Sequence, residues 1–67
     1  MMMATTYPPQ TDITFRDWRH GKPRVIGGFV VGEPVEVDGT TYYPAYVPAE
    51  DWHVQVAASN ILTSKEG

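Results

Sequence analysis

The chain has 67 residues, no cysteine and a formal net charge of −3 at pH 7. A chain of this length forms one small domain that buries only about 60% of the surface its unfolded form exposes. It has no disulfide, and its two histidines cannot build a closed zinc site, so we expect self-association to supply part of its stability.

The sequence gives no sign of export or of membrane insertion. No apolar run approaches the roughly 20 residues that span a bilayer. The start, MMMATTYPPQ, lacks the basic and apolar regions of a signal peptide. We therefore expect a cytoplasmic protein that binds no membrane and carries no cofactor.

The first eleven residues contain threonine, proline and glutamine without periodic apolar residues, which predicts a flexible or extended arm over residues 1–11. Residues 12–18 then alternate, with Ile13 and Phe15 on one side, and this alternation predicts a strand. A turn follows at residues 20–23. The next segment, residues 24–31, reads RVIGGFVV and predicts a second strand, in which Gly27 and Gly28 indicate a bulge, a bend or the close approach of another backbone.

Residues 35–47 read VEVDGTTYYPAYV and predict a β-hairpin, because Asp38 and Gly39 tolerate the positive φ angles of hairpin turns. A turn of two residues would place Val35 opposite Tyr42. We prefer a turn of three residues, because it segregates the apolar side chains better.

The three-residue turn puts Val35 and Val37 on one face with Tyr43, and turns Tyr42 and Tyr46 outward. Pro44 cannot donate a ladder hydrogen bond, so it predicts that this strand lies at an edge or contains a bulge.

After a turn at residues 48–51, residues 52–57 alternate again, with Val54 and Val56 inward and His53 and Gln55 outward. One helical turn is expected at residues 57–60. Ile61 and Leu62 then complete the core, and residues 63–67 are expected to form a frayed tail.

About five short strands, tight turns and one late helical turn predict an all-β domain over residues 12–62. The segment Val54–Leu62, a strand followed by Ala-Ala-Ser-Asn and then Ile-Leu, resembles the closing segment of SH3-like domains. This resemblance implies a small antiparallel barrel. An OB-type barrel is the alternative, although it usually needs a longer chain.

The SH3-like resemblance also extends to one family of enzymes. The type II dihydrofolate reductases are small SH3-like chains that form a tetramer around a pore lined by a Val-Gln-Ile-Tyr motif. The matching positions here are Val54, Gln55, Val56 and Ala57, so the tyrosine is missing, and the family's lysine-bearing segment has no counterpart.

No other catalytic or metal site is indicated. The only histidines are His20 and His53, and no local spacing ties either to a nucleophile and an acid as a triad requires. Two acidic residues, Glu50 and Asp51, precede the strand of His53, but such a pair before a strand is typical of a solvated turn. We expect a protein that is not an enzyme.

Two binding functions are then open. Tyr42, Tyr46 and Trp18 could present an aromatic surface to a protein partner or to another copy of the chain. The alternative is nucleic-acid binding by a basic segment with an aromatic stacking platform, although a pI near 5.0 opposes it. That segment comprises Arg16, Trp18, Arg19, Lys22 and Arg24.

Charge is also divided along the chain, since the basic segment is followed by an acidic stretch from Glu33 to Asp51. Folding could pair these two groups on the surface, which is the interpretation we favour.

Overall fold

The computed structural model describes residues 6–66 of the chain. The predicted all-β class is confirmed, with six strands in the described part instead of about five. Two short 3-10 turns, Pro48–Glu50 and Ala58–Asn60, precede the last two strands. The strands are β1 (Asp12–Asp17), β2 (Arg24–Val30), β3 (Val35–Val37), β4 (Thr40–Val47), β5 (Trp52–Ala57) and β6 (Ile61–Lys65).

All strand pairs are antiparallel and form one sheet that curls into a half-barrel. β1 lies between β6 and β2, and β2 lies beside β4. β3 and β5 also pair with β4. Within residues 6–66, no helix has the length and apolar character needed to cross a bilayer.

The core lies on the concave face of this sheet. Alternation within β1 directs Ile13 and Phe15 inward, as the sequence predicts, and both are at most 2% exposed. The other buried apolar side chains come from β2, β4 and β5, and they are Val30, Tyr43, Ala45, Val47 and Val56.

Gly28 allows β2 to approach β4 closely. A Cβ atom at this position would lie 2.5 Å from the backbone oxygen of Tyr46, a contact that no side chain could make without moving the strand. The close approach is therefore the reason for glycine here. The predicted bulge is not seen in the pairing of β1 with β2, which keeps one register throughout. The register shift lies instead between β1 and β6, at Thr14 and Phe15.

The predicted hairpin forms, but the preferred three-residue turn is wrong. Val37 pairs with Thr40, so only Asp38 and Gly39 lie in the turn, and their φ angles are 52° and 81°. Two successive residues with positive φ are typical of the type I′ turn, which matches the twist of the flanking strands.

This turn moves Val35 and Val37 to the face opposite the core. Val35 pairs directly with Tyr42, and both valines are 51% exposed. Tyr43 still points inward as predicted, because β4 is held by its pairing with β5 and by the core. The short strand β3 has no such anchor, so its register follows the turn.

Pro44 does not mark an edge, because β4 has neighbours on both sides. Its carbonyl accepts a hydrogen bond of 2.9 Å from the backbone N–H of Val31, so its nitrogen faces the same side of the strand. Along that edge of β4, Pro44 lies between two paired segments. The pairing with β2 ends at Val30 and Ala45, and the pairing with β3 lies on the other side of Pro44. The missing N–H therefore costs no ladder hydrogen bond to β5.

The second half of the predicted N-terminal arm is attached to the sheet. The ring of Tyr7 packs edge to face on Tyr43, with 5.1 Å between centroids. The N–H of Gln10 donates to the oxygen of Val30, and the N–H of Val30 donates to the oxygen of Thr11. Residues 7–11 thus cover β2 and one end of the core, while residues 1–5 of the predicted arm lie outside the described residues.

The predicted frayed tail is also largely ordered as a strand. β6 continues to Lys65, and its pairing with β1 includes Asp12 opposite Lys65. The side-chain oxygens of Thr14 and Thr63 are 2.6 Å apart, which places a hydrogen bond across these strands. Residue 67 lies outside the described residues.

The contact at Gly28 can be tested by substitution. Gly28→Ala should destabilise the protein by about 2 to 3 kcal/mol, since the new methyl group meets backbone atoms that belong to the core strand β4. Gly27→Ala is the matched control, because its nearest contact would be 3.8 Å away, and it should change stability by less than about 1 kcal/mol. Urea denaturation of both variants measures the difference, and equal losses would contradict the close approach.

Candidate interaction surface

An uncharged surface covers the convex side of β3, β4 and β5. We call it the outer patch. Its valines are 39% to 51% exposed, and Tyr42 and Pro44 are half-buried. No member of the patch is ionisable near neutral pH. The outer patch consists of Val31, Val35, Val37, Tyr42, Pro44 and Gln55. Val31 follows β2 and belongs to the patch because it lines a second hollow with Pro44 and Gln55.

Cross-strand pairing places these side chains together. Residues directly opposite each other in an antiparallel pair project from the same face. Val35 lies opposite Tyr42 on β3 and β4, and Pro44 lies opposite Gln55 on β4 and β5. Because side chains alternate along β4, Tyr42 and Pro44 share one face and bring the two pairs into contact range.

A shallow hollow of about 380 Å³ lies within the outer patch. It is lined by Val35, Val37, Tyr42 and Gln55. Its walls are therefore aliphatic and aromatic, with one amide group and one phenol group as the sources of hydrogen bonds. Such a hollow suits an apolar side chain from a partner surface.

Tyr46, which the sequence also predicts in the binding surface, belongs to a neighbouring cluster. Its ring lies 5.8 Å from that of Phe29 and 4.7 Å from that of His53, measured between centroids. Its hydroxyl donates a 2.5 Å hydrogen bond to Asp51 Oδ1, and this bond raises the pKa of Tyr46. Tyr46 thus borders the patch with its polar group already engaged.

Trp18, the third predicted binding residue, lies on a different part of the molecule. It follows β1 and is 49% exposed. Together with Arg16, Gln55 and Asn60 it lines a cleft of about 140 Å³ between β1 and β5. The fold therefore brings Tyr42 into the outer patch, leaves Tyr46 at its border and places Trp18 in an adjoining cleft that shares Gln55 with the patch.

The sequence interpretation missed Val35 and Val37 as surface residues. The signal that could have placed them is the Asp38-Gly39 pair itself, which strongly favours a turn of two residues. Gln55 was predicted to point outward on β5, and it does so. Its position beside Pro44 follows only from the register between β4 and β5.

The basic segment is largely engaged in ion pairs. Arg24 donates two parallel hydrogen bonds to the carboxylate of Glu50, of 2.7 and 2.9 Å. Its Nε also donates a 2.7 Å bond to Asp17 Oδ2. These bonds raise the pKa of Arg24 and join the β1–β2 connection to the turn before β5.

Arg19 binds the same carboxylate. Its Nη1 lies 3.0 Å from Glu50 Oε1, and its guanidinium carbon lies 4.3 Å from the centre of the Trp52 ring. The favoured pairing between the basic segment and the acidic stretch is thus confirmed for Arg19 and Arg24. Among the described residues, Arg16 and Lys22 are the cations of the basic segment that form no ion pair.

Nothing in the described part of the chain forms a metal centre, since no group of three or more histidine or carboxylate side chains is suitably close. The segment that resembles the reductase motif lies in β5, with Gln55 exposed on the outer patch and Val56 buried in the core. The expectation that the protein is not an enzyme stays a prediction, with the reductase as its remote alternative.

Comparison of the chain with protein-family models, with curated proteins and with solved structures returned no match.

The ion pairs predict how stability depends on pH. Hydrogen bonds from Arg24 lower the pKa of Glu50 from its ordinary value of 4.5 to about 2. A carboxylate with a lowered pKa in the folded state stabilises the protein above its unfolded pKa, and this stabilisation is lost as the pH falls through the folded pKa. The melting temperature should therefore fall as the pH decreases from about 4.5 to about 2.

Glu50→Gln is the control for this pH dependence, since it keeps the shape of the side chain and removes its charge. Its melting temperature should be lower than that of the parent at neutral pH, and the two should converge at low pH. A constant difference between them from neutral pH to pH 2 would contradict the ion-pair assignment.

Proposed function

We propose that this protein is a small, non-enzymatic interaction module that binds a protein partner through the outer patch. The observation that carries the proposal is that the exposed Val35 and Val37 lie beside the half-buried Tyr42 on one uncharged face. Valines that are half exposed to solvent contribute little apolar burial to the fold of a small protein. Contiguous apolar surface of this kind commonly marks an interaction site.

The composition of the outer patch suits a protein partner. Tyrosine provides a large contact area at a small cost in side-chain entropy, and it is enriched where interfaces are buried. The patch lacks the lysine and glutamate that interface cores avoid. Its hollow can accept an apolar anchor, and the amide of Gln55 can satisfy a polar group at the rim.

Nucleic-acid binding receives less support from the geometry. Nucleic-acid binding depends on lysine and arginine side chains that neutralise phosphates and release the counterions condensed on the nucleic acid. Arg19 and Arg24 are engaged with Glu50, so two of the four cations in the basic segment are already neutralised. Arg16 and Lys22 remain for such contacts, on a chain whose net charge is −3.

For the architecture we propose an SH3-like barrel. The support is the order of the last elements, in which β5 pairs with β4, a 3-10 turn follows at Ala58–Asn60, and β6 then pairs with β1. This is the arrangement expected from the resemblance of the closing segment.

Two matched substitutions test the proposed surface. Val35→Glu introduces a charge into the outer patch, and Val25→Glu introduces the same charge on β2, where the valine is 61% exposed and lies opposite Arg16. In capture experiments from native cell extract, the parent and Val25→Glu should retain the same partner. An untagged copy of the chain counts as a partner in this experiment. Val35→Glu and Tyr42→Ala should reduce its capture by about tenfold or more, as expected for interface anchors.

Each variant must first be shown to be folded by its melting curve. If Val35→Glu is folded and captures the same proteins in the same amounts as Val25→Glu, the outer patch is not the binding surface.

A further inference from the structure

We infer that the partner of the outer patch is a second copy of this chain, bound about a twofold axis so that the two patches face each other. This inference rests on the proposed function of the patch and adds the identity of its partner. In such an interface each surface must complement itself. Three properties of the outer patch meet that condition.

The first property is charge. The chain has a net charge of −3, so most ways of bringing two copies together place carboxylates near carboxylates. A charge that lies close to a twofold axis meets its own equivalent, which is unfavourable. The outer patch contains no charged side chain, and this face can therefore approach its own copy without that repulsion.

The second property is the hydrogen-bonding character of the polar groups. The amide of Gln55 and the hydroxyl of Tyr42 are each both donor and acceptor. Either group can therefore pair with the same group of another copy, as lysine or glutamate could not. Tyr42 and Gln55 both line the hollow, and two facing patches would bring these residues close to their equivalents.

The third property is the balance between buried and exposed apolar residues. In the described part of the chain, seven apolar side chains form the core, while six large ones remain at least 39% exposed. Three of these six, Val31, Val35 and Val37, lie in the outer patch. Covering them would supply the apolar burial that so short a chain cannot achieve alone.

The expected complex is a face-to-face dimer of two sheets. Aligned sheets pack about 10 Å apart, with side chains from the two facing surfaces interdigitated. A valine from one copy would then enter the hollow of the other, beside Tyr42. Because this contact is apolar, its affinity should change little with salt.

Sedimentation of the purified protein over a hundredfold range of concentration tests the inference. The parent and Val25→Glu should form dimers. Val35→Glu should raise the dissociation constant by at least about 100-fold, since it places two carboxylates within the interface. Gln55→Glu should also raise the dissociation constant. Because Gln55 is exposed, this variant keeps its fold, and it replaces Val35→Glu in the test if Val35→Glu does not fold.

A mixed sample of isotope-labelled and unlabelled chains locates the contact. Intermolecular nuclear Overhauser effects from the Tyr42 ring to the methyl groups of Val35 or Val37 of the other copy would support the face-to-face dimer. A dimer whose intermolecular contacts lie elsewhere, or one that Val35→Glu and Gln55→Glu leave unchanged, would overturn it.

A monomer at every concentration would also overturn the inference. If that monomer still captures another protein in a manner that depends on Val35, the proposed function stands without self-association. If it captures nothing that depends on Val35, the proposed function falls together with the inference.

Discussion

The burial of Tyr43, Ala45 and Val47 from β4 is the interaction on which the rest of the structure depends. β4 pairs with β2, β3 and β5, so its orientation sets the inner and outer faces of half the sheet. Because side chains alternate along a strand, burying these three residues directs Tyr42, Pro44 and Tyr46 to the opposite face. The outer patch is thus a direct consequence of how the core is filled.

The same strand sets the conditions for its neighbours. Gly28 is required because β2 crosses close to the backbone of β4. Pro44 is tolerated because its nitrogen faces an unpaired part of the edge of β4. This part lies between the segment that pairs with β2 and the segment that pairs with β3. β3 is only three residues long and adds no buried side chain, so its main contribution is to extend the apolar face with Val35 and Val37.

Charged side chains form ion pairs outside the outer patch. Glu50 binds both Arg19 and Arg24, and these bonds connect the β1–β2 turn with the segment that leads into β5. Such partly exposed pairs usually contribute little stability each, although a shared carboxylate with bidentate geometry is among the better arrangements. These ion pairs engage Asp17, Arg19, Arg24 and Glu50, and the side chains of the outer patch are uncharged. This separation permits one face to serve as an apolar interaction surface on an acidic chain.

The sequence by itself determined the all-β class, the positions of most strands, the Asp38-Gly39 turn and the inward direction of Ile13, Phe15 and Tyr43. These are local properties, since alternation and turn chemistry are expressed within a few residues. It also indicated that Tyr42 faces outward. The faces of Val35 and Val37 were predicted wrongly although the Asp38-Gly39 pair favours a turn of two residues, because a difference of one residue in the turn moves every side chain of β3 to the other face relative to β4.

Only the tertiary structure decided the pairing of Arg24 with Glu50 and the attachment of Tyr7 to Tyr43. Each of these contacts joins residues more than 20 positions apart, and no local pattern encodes which distant partner a side chain meets. The outer patch depends on such contacts as well, since Gln55 joins it only through the pairing of β5 with β4. Local chemistry therefore fixed what the strands are, and the packing of one strand on another fixed which surface they present.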